Sequence, residues 1–284
     1  MKILLLIPPT DLSSSYGKLK SFSNPQPAIG VAYIAAMLRE NGFDVKVVDA
    51  YINSYLLADI MDAIEHCAPE VVGISVLTPS AEVVYEISKN IRSKFPSIKI
   101  VMGNMHASLF SDEILINGYA DFVVHREGEL TMLELLQTIK NSKKFESVKG
   151  ISFLRDGRII NNLLRGHVND LDALPFPAWN LFPLKEYSTD PRTEIKKRSV
   201  EMQILATRGC PNQCTFCSSR TERSLGGKYR MRTPKSVVDE MVYMHEKYRS
   251  EVFSFIDLAF PLVKSHAVSL CTEMIRRGVV EKLK

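Results

Sequence analysis

The sequence predicts an α/β fold built around a parallel sheet, on three observations. Short apolar runs alternate with amphipathic stretches of helical period from residue 1 to about 141. Residues rich in Gly, Pro, Ser and Thr follow most of those runs. No apolar run approaches the ~20 residues that a membrane helix needs. Strands that alternate with helices form parallel sheets covered on both faces.

The elements follow in order. KILLLIP (2–8) is a buried strand; Pro8 and Pro9 stop it, and no small-residue cleavage site follows, so it is not a signal peptide. IGVAYIAAMLRENG (29–42) is a helix with apolar positions three and four apart and Gly42 as its stop. DVKVVDA (44–50) is a strand and LLADIMDAIEHCA (56–68) a helix. VVGISVL (71–77) is a strand, AEVVYEISKNIRSKFP (81–96) a helix and KIVMGN (99–104) a strand. A short helix lies near 111–118, DFVVHRE (121–127) is a strand and ELTMLELLQTIKN (129–141) a helix. Five such units make a doubly wound domain, in which ligands bind at the carboxyl ends of the strands.

Those ends read PPTD, SVLTPS, GNMHAS and REGE. They suit a rim of ligand-contacting backbone, or equally the turns of any such sheet. No G-x-G-x-x-G follows the first strand, which argues against a dinucleotide. His106 and His125 are read as polar loop residues, and Cys67 as a small buried hydrophobe.

GISFLRDGRIIN (150–161) alternates around Asp156-Gly157, a strong hairpin signal. DLDALPFPAWNLFP (170–183) carries Pro175, Pro177 and Pro183, which forbid a regular helix, so it reads as an extended connector with Trp179 as packing anchor. STDPRTEIKKRS (188–199) reads as an exposed polar loop, and MQILATRG (202–209) as one strand leading into a cysteine loop.

That loop, RGCPNQCTFCSS (208–219), places Cys210, Cys214 and Cys217 at C-x3-C-x2-C. The odd count of five cysteines and the lack of a secretion signal oppose a disulfide framework and favour the reducing cytoplasm. Structural zinc wants four ligands, and none follows at finger spacing. An iron–sulfur cluster suits thiolates on a short loop. Three thiolates on four irons leave one iron open to a small molecule. The net charge of +4 is too small to argue for nucleic acid or an anionic membrane.

The C-x3-C-x-aromatic-C pattern, with Phe216 as the aromatic, resembles the radical S-adenosylmethionine (SAM) superfamily. PAIGVAYIAAMLRENGFDVKVVDA, GISVLTPS, MGNMHAS and DFVVHREGELTMLELL resemble the cobalamin-binding domain at the N-terminus of many B12-dependent radical SAM proteins. Together they imply a Rossmann-like cobalamin-type domain (1–145), a hairpin and Pro-rich connector (146–199) and the start of a radical SAM (β/α) partial barrel (200–284). TPKSVVDEMVYMHEKYR (233–249), EVFSFID (251–257) and KSHAVSLCTEMIRRG (264–278) fit its helix, strand and helix.

The resemblance implies three cofactors. A [4Fe-4S] cluster sits on Cys210, Cys214 and Cys217; S-adenosylmethionine lies near Phe216 and Asp257; cobalamin contacts Pro9, Ser75, Leu77, Thr78, Gly103, Asn104, Glu127 and Gly128. Electron transfer to SAM yields a 5′-deoxyadenosyl radical, and the expected reaction is methyl transfer to an unactivated carbon. No further catalytic residue is assigned. A lipid, tetrapyrrole or natural-product precursor is the expected substrate, and a ferredoxin or flavodoxin the electron donor. Nucleic acid is not an expected partner.

Three departures bear on this. The Asp-x-His-x-x-Gly loop of other B12 proteins is absent, so no protein histidine is expected beneath cobalt. Asn104 replaces the second glycine of a Gly-Gly step, and Leu258 replaces a second acidic residue after Asp257. The barrel stops after about two βα units, as in a C-terminally truncated chain, so its second half is expected to be unstable or to associate. Arg230 and Arg232 face either a carboxylate or the cobalamin, or form an exposed pair of cations. The rival readings are a radical SAM enzyme whose N-terminal domain binds no cobalamin, and a non-catalytic cobalamin carrier or sensor.

Overall fold

The computed structural model describes residues 1–10, 25–187, 201–217 and 227–283. The expected polar loop at 188–199 lies outside the described residues.

The first half is a doubly wound sheet. Strands β1 (Lys2–Ile7), β2 (Asp44–Asp49), β3 (Val71–Ser75), β4 (Lys99–Gly103) and β5 (Phe122–Val124) are parallel in the order β2-β1-β3-β4-β5. Helices α1 (Ile29–Glu40), α2 (Leu57–Cys67), α3 (Ala81–Lys94), α4 (Asn104–Leu109), α5 (Ser111–Ile116) and α6 (Glu129–Lys140) connect them. The strand alternation decides the layering. Ile3 and Leu5 of β1 face α1 and α6, in a core with Leu38 and Leu135. Leu4 and Leu6 face α2 and α3, in a core with Ile64 and Ile87.

The hairpin forms as its turn residues require: Asp156 and Gly157 have φ of 48° and 73° and join β6 (Ile151–Arg155) to β7 (Arg158–Asn161). This pair of positive φ values belongs to the turn that matches strand twist. The hairpin is more than part of a connector, because β6 pairs antiparallel with β5 and makes a seven-stranded sheet. Phe122, Phe145 and Phe153 pack together there, with ring centroids 4.7–6.1 Å apart. That aromatic cluster gives β5 an apolar partner which the connector reading does not include.

The second half departs further from expectation. The run at 202–209 is two strands, β8 (Glu201–Ile204) and β9 (Thr207–Cys210), broken at Leu205-Ala206. β8 pairs parallel with β11 (Val252–Phe255), as in the opening of a barrel. β9 instead pairs antiparallel with β10 (Gly227–Met231), a strand that the sequence does not announce. Helices α7 (Pro234–Tyr248) and α8 (Lys264–Arg276) follow, and Thr233 caps α7 through Ser236 N–H at 3.2 Å.

The connector is extended with two single 3₁₀ turns, at Trp179–Leu181 and Leu184–Glu186. Trp179 is fully buried, as an anchor should be. Its core is continuous from β1 through Leu174 and Trp179 to Met202 and Met241, so the two halves share one hydrophobic interior.

Candidate functional site at the carboxyl edge of the sheet

In the order β2-β1-β3-β4-β5, the crossovers reverse face between β1 and β3, which opens a crevice at their carboxyl ends. Pro9 lies after β1, Ser75 ends β3, and Leu77 and Thr78 lead into a 3₁₀ turn. Leu77 is 51% exposed and Thr78 is exposed. Gly103 ends β4 as the register partner of Ser75. These five predicted residues, with Asn104, therefore line one edge.

Asn104 takes the glycine's place without changing the backbone. Its φ is 76°, in the left-handed region that Asn visits more readily than other non-glycine residues. Its side-chain N–H donates to Ser75 Oγ at 3.0 Å, and its Oδ1 accepts from Met105 N–H at 2.7 Å. Asn104→Gly is expected to be nearly neutral in denaturant unfolding, because relief of the positive φ offsets the loss of both hydrogen bonds. Asn104→Val should cost about 2 kcal/mol, because a β-branched residue resists this φ and both hydrogen bonds go.

His106 is buried, not a surface residue. It is the third residue of α4, a helix not expected from sequence. Tyr85 hydroxyl lies 2.9 Å from its Nε2 and Thr78 Oγ1 3.2 Å from its Nδ1. Burial lowers its pKa, against the opposing pull of Glu113. Both ring nitrogens are engaged, which leaves neither directed at a ligand. His125 is also buried, with Nε2 2.7 Å from Ser152 Oγ. Cys67 is a buried helix residue as expected, with its thiol pKa raised by burial.

Glu127 and Gly128 follow β5; Gly128 packs near Ile34 and Val124, while Glu127 faces the second half. Glu127 is 8% exposed. It accepts from Val168 N–H at 2.7 Å and from Arg230 at 3.0 Å, and pairs with Arg208 at 3.7 Å. Burial opposes its ionisation, but the Arg230 and Val168 hydrogen bonds and the two guanidinium charges prevail and hold its pKa below the usual glutamate value. Glu129, which sequence reasoning passed over, accepts from Arg208 at 2.7 Å. Arg208 also stacks on Tyr33, 4.8 Å from the ring centroid. Two acids in three residues directly after a strand, E-G-E at 127–129, were the available signal.

The exposed-pair reading of Arg230 and Arg232 is corrected: each is 5% exposed and meets a carboxylate. Arg230 pairs with Glu127 at 2.8 Å, and Arg232 with Glu240. Two guanidiniums in this interior would be untenable without those partners.

Cys210 ends β9 and is half-buried; Cys214 and Cys217 are exposed. Cys217 N–H donates to Cys214 O at 3.1 Å, and Phe216 is 92% exposed. Among the described residues no three His, Cys, Asp or Glu side chains are drawn together as a metal site. The donor set nevertheless fits an iron–sulfur cluster: three soft thiols within eight residues, two of them open to solvent. Asp257 accepts hydrogen bonds from Thr207 N–H, from Thr207 Oγ1 at 2.5 Å and from Ala206 N–H at 3.4 Å. It thereby fixes the break between β8 and β9. Burial raises its pKa even against these bonds. Leu258 beside it is 58% exposed.

A doubly wound sheet of this order is shared by several ligand-binding families, and residues 19–136 match the B12 binding domain family. An uncharacterized methyltransferase of Pyrococcus horikoshii is 29% identical over 282 residues, 98% of this chain and 58% of the relative. The anaerobic magnesium-protoporphyrin IX monomethyl ester cyclase of Synechocystis is 30% identical over 283 residues, 98% of this chain and 54% of the relative. Among solved structures, the cobalamin-dependent S-adenosylmethionine radical enzyme OxsB with aqua-cobalamin and S-adenosylmethionine bound superposes with a TM-score of 0.78 at 19% identity. That likeness covers 97% of this chain and 37% of OxsB. The radical S-adenosylmethionine methyltransferase TsrM from Kitasatospora setae has a TM-score of 0.72 at 20% identity, over 99% of this chain and 53% of TsrM. Residues 19–136 thus carry a B12-binding-type domain, and the fold of nearly the whole chain is that of OxsB and TsrM. The chain spans about half the length of the curated relatives it matches. No described helix is long and apolar enough to cross a membrane.

Proposed function

We propose that the chain is the cofactor-bearing N-terminal part of a cobalamin-dependent radical SAM enzyme that methylates an unactivated carbon. One observation carries the reading: the strand that ends at Cys210 is joined by Arg208 to Glu127 and Glu129, at the carboxyl edge of the B12-type sheet. Cys210, Cys214 and Cys217 would hold a [4Fe-4S] cluster, and the edge from Pro9 through Ser75, Leu77, Thr78, Gly103 and Asn104 would hold cobalamin. When bound, these groups supply one-electron cleavage of S-adenosylmethionine and carriage of the methyl group.

The chain's own residues position and enclose. Ser75 and Asn104 fix the β3 and β4 ends against each other, so the edge is formed before a ligand arrives. Exposed Leu77 offers apolar surface to a large macrocycle. His106 is held away by Tyr85 and Thr78, so the protein supplies no histidine from that helix. Phe216, exposed beside Cys217, would pack on the adenine. A soluble donor such as a ferredoxin or flavodoxin would supply the electron, and the substrate would be a small molecule such as a tetrapyrrole or lipid.

Ring closure with the same parts is the second reading, favoured by the 30% identity to the cyclase. The deciding experiment starts with anaerobic reconstitution with iron, sulfide and hydroxocobalamin. About four irons and one cobalt per chain are expected. Cys214→Ala should lose the iron and keep the cobalt. Iron without cobalt would reject the cobalamin assignment, and cobalt without iron would leave a carrier or sensor. A methylated product would separate methyl transfer from cyclisation.

A further inference from the structure

β9 and β10 flank residues 211–226, the segment that contains Cys214 and Cys217. In their antiparallel register, Arg208 stands directly opposite Arg230. Like charges in directly opposite positions push such a pair apart. Both side chains are buried, at 13% and 3% exposure, so water does little to screen them. One carboxylate answers both: Glu127 Oε1 lies 3.7 Å from Arg208 and 2.8 Å from Arg230. Its other oxygen accepts from Arg230 and from Val168 N–H. Glu129 adds a second carboxylate on Arg208. The four charges balance. His167, 3.7 Å from Glu127, has its pKa lowered by burial and adds none near neutral pH.

We propose that Glu127 is a positioning residue for the cysteine segment: it neutralises the facing Arg208 and Arg230 and so holds both flanking strands to the carboxyl edge of the sheet. The role toward a cluster rests on the function proposed above; the clamp on the two strands does not. Removing one partner of a buried ion pair leaves an uncompensated charge, whereas removing both is far better tolerated. This distinguishes a clamp from a cobalamin contact and from general packing.

The test is hydrogen–deuterium exchange on the whole chain, with iron and cobalt counts after reconstitution. Glu127→Gln should speed amide exchange in 205–212 and 227–233 by at least about tenfold, with β1, β3 and β4 unchanged. Iron retained per chain should fall at least about twofold, and cobalt should hold. Adding Arg230→Met to Glu127→Gln should restore slow exchange in both segments. Unchanged exchange in β9 and β10, or loss of cobalt with those strands unaffected, would overturn the proposal. So would acceleration spread over β1 to β4 that Arg230→Met does not repair. If the wild-type chain itself takes up no iron, the proposed function fails, and the exchange pattern still decides the clamp.

Discussion

Gly209→Ala is expected to unpair β9 from β10 and to abolish iron uptake. Gly209 has φ of 85°, which an L side chain adopts at a cost of ~1–2 kcal/mol. Space is the larger obstacle. A methyl group there would lie 2.3 Å from Lys228 O, 2.9 Å from Lys228 C and 3.1 Å from Gly227 O. All three are backbone atoms of β10, so no side-chain rotation relieves the contact, and the strands must separate. Forced overpacking costs a further ~1–3 kcal/mol. The sum is comparable to half the stability of an ordinary domain, about 5–15 kcal/mol. Urea unfolding and iron analysis check it; a variant with wild-type stability and iron would show that the two strands do not pair as described.

Trp179→Ala should destabilise the chain by about 3–5 kcal/mol, the usual range for a buried aromatic truncated to alanine. Trp179 is fully buried and meets Phe182 edge-to-face, with centroids 5.6 Å apart at 66°. Its core runs into both halves, so the loss should be felt on both sides of the connector. The wild-type chain should unfold in one transition and Trp179→Ala in two, followed by tyrosine fluorescence and far-ultraviolet dichroism. Trp179→Phe should cost much less. Among the described residues the buried indole N–H has no hydrogen-bond partner, and an orphaned donor costs ~1–3 kcal/mol. Phenylalanine removes that penalty and keeps most of the apolar volume. A Trp179→Phe variant as unstable as Trp179→Ala would mean that the indole is satisfied in solution.

Periodicity made most of the first half of the fold legible, because its strands and longer helices are amphipathic or apolar along their length; the six-residue helix α4 is too short to show a period. The Asp156-Gly157 turn was equally plain, since its residues suit the backbone angles that they adopt. The sheet's extension by that hairpin was hidden: pairing with β5 depends on Phe122, Phe145 and Phe153 meeting across the fold. The β8–β9 break was hidden too. MQILATRG is evenly apolar at its start, and the interruption comes from Asp257, some fifty positions away, bonding to Ala206 and Thr207. β10 reads as a polar segment, and its Arg230 is buried by Glu127, which lies about a hundred positions away.

The candidate site divides in the same way. The three cysteines and the strand-end residues from Pro9 to Asn104 are local signals and stood out. Glu127 was singled out as a ligand contact, while the structure shows it bound to Arg208, Arg230 and Val168. Which acid meets which base is a tertiary fact that no spacing rule contains.

The hairpin at the sheet's edge also sets the direction of travel. β6 starts beside Val124, at the end where β5 finishes, and runs the opposite way; β7 reverses again. Two reversals cancel, so the chain departs from Asn161 on the side of the sheet where Ser75, Gly103 and Glu127 lie. A single added strand would have launched it from the far side, about 15–20 Å away for strands of this length. An even number of reversals lets Val168, only seven residues on, reach Glu127 without a detour. Strand parity, more than the length of the connector, is what brings Val168 to the same edge as Glu127, where Arg208 and Arg230 also pair.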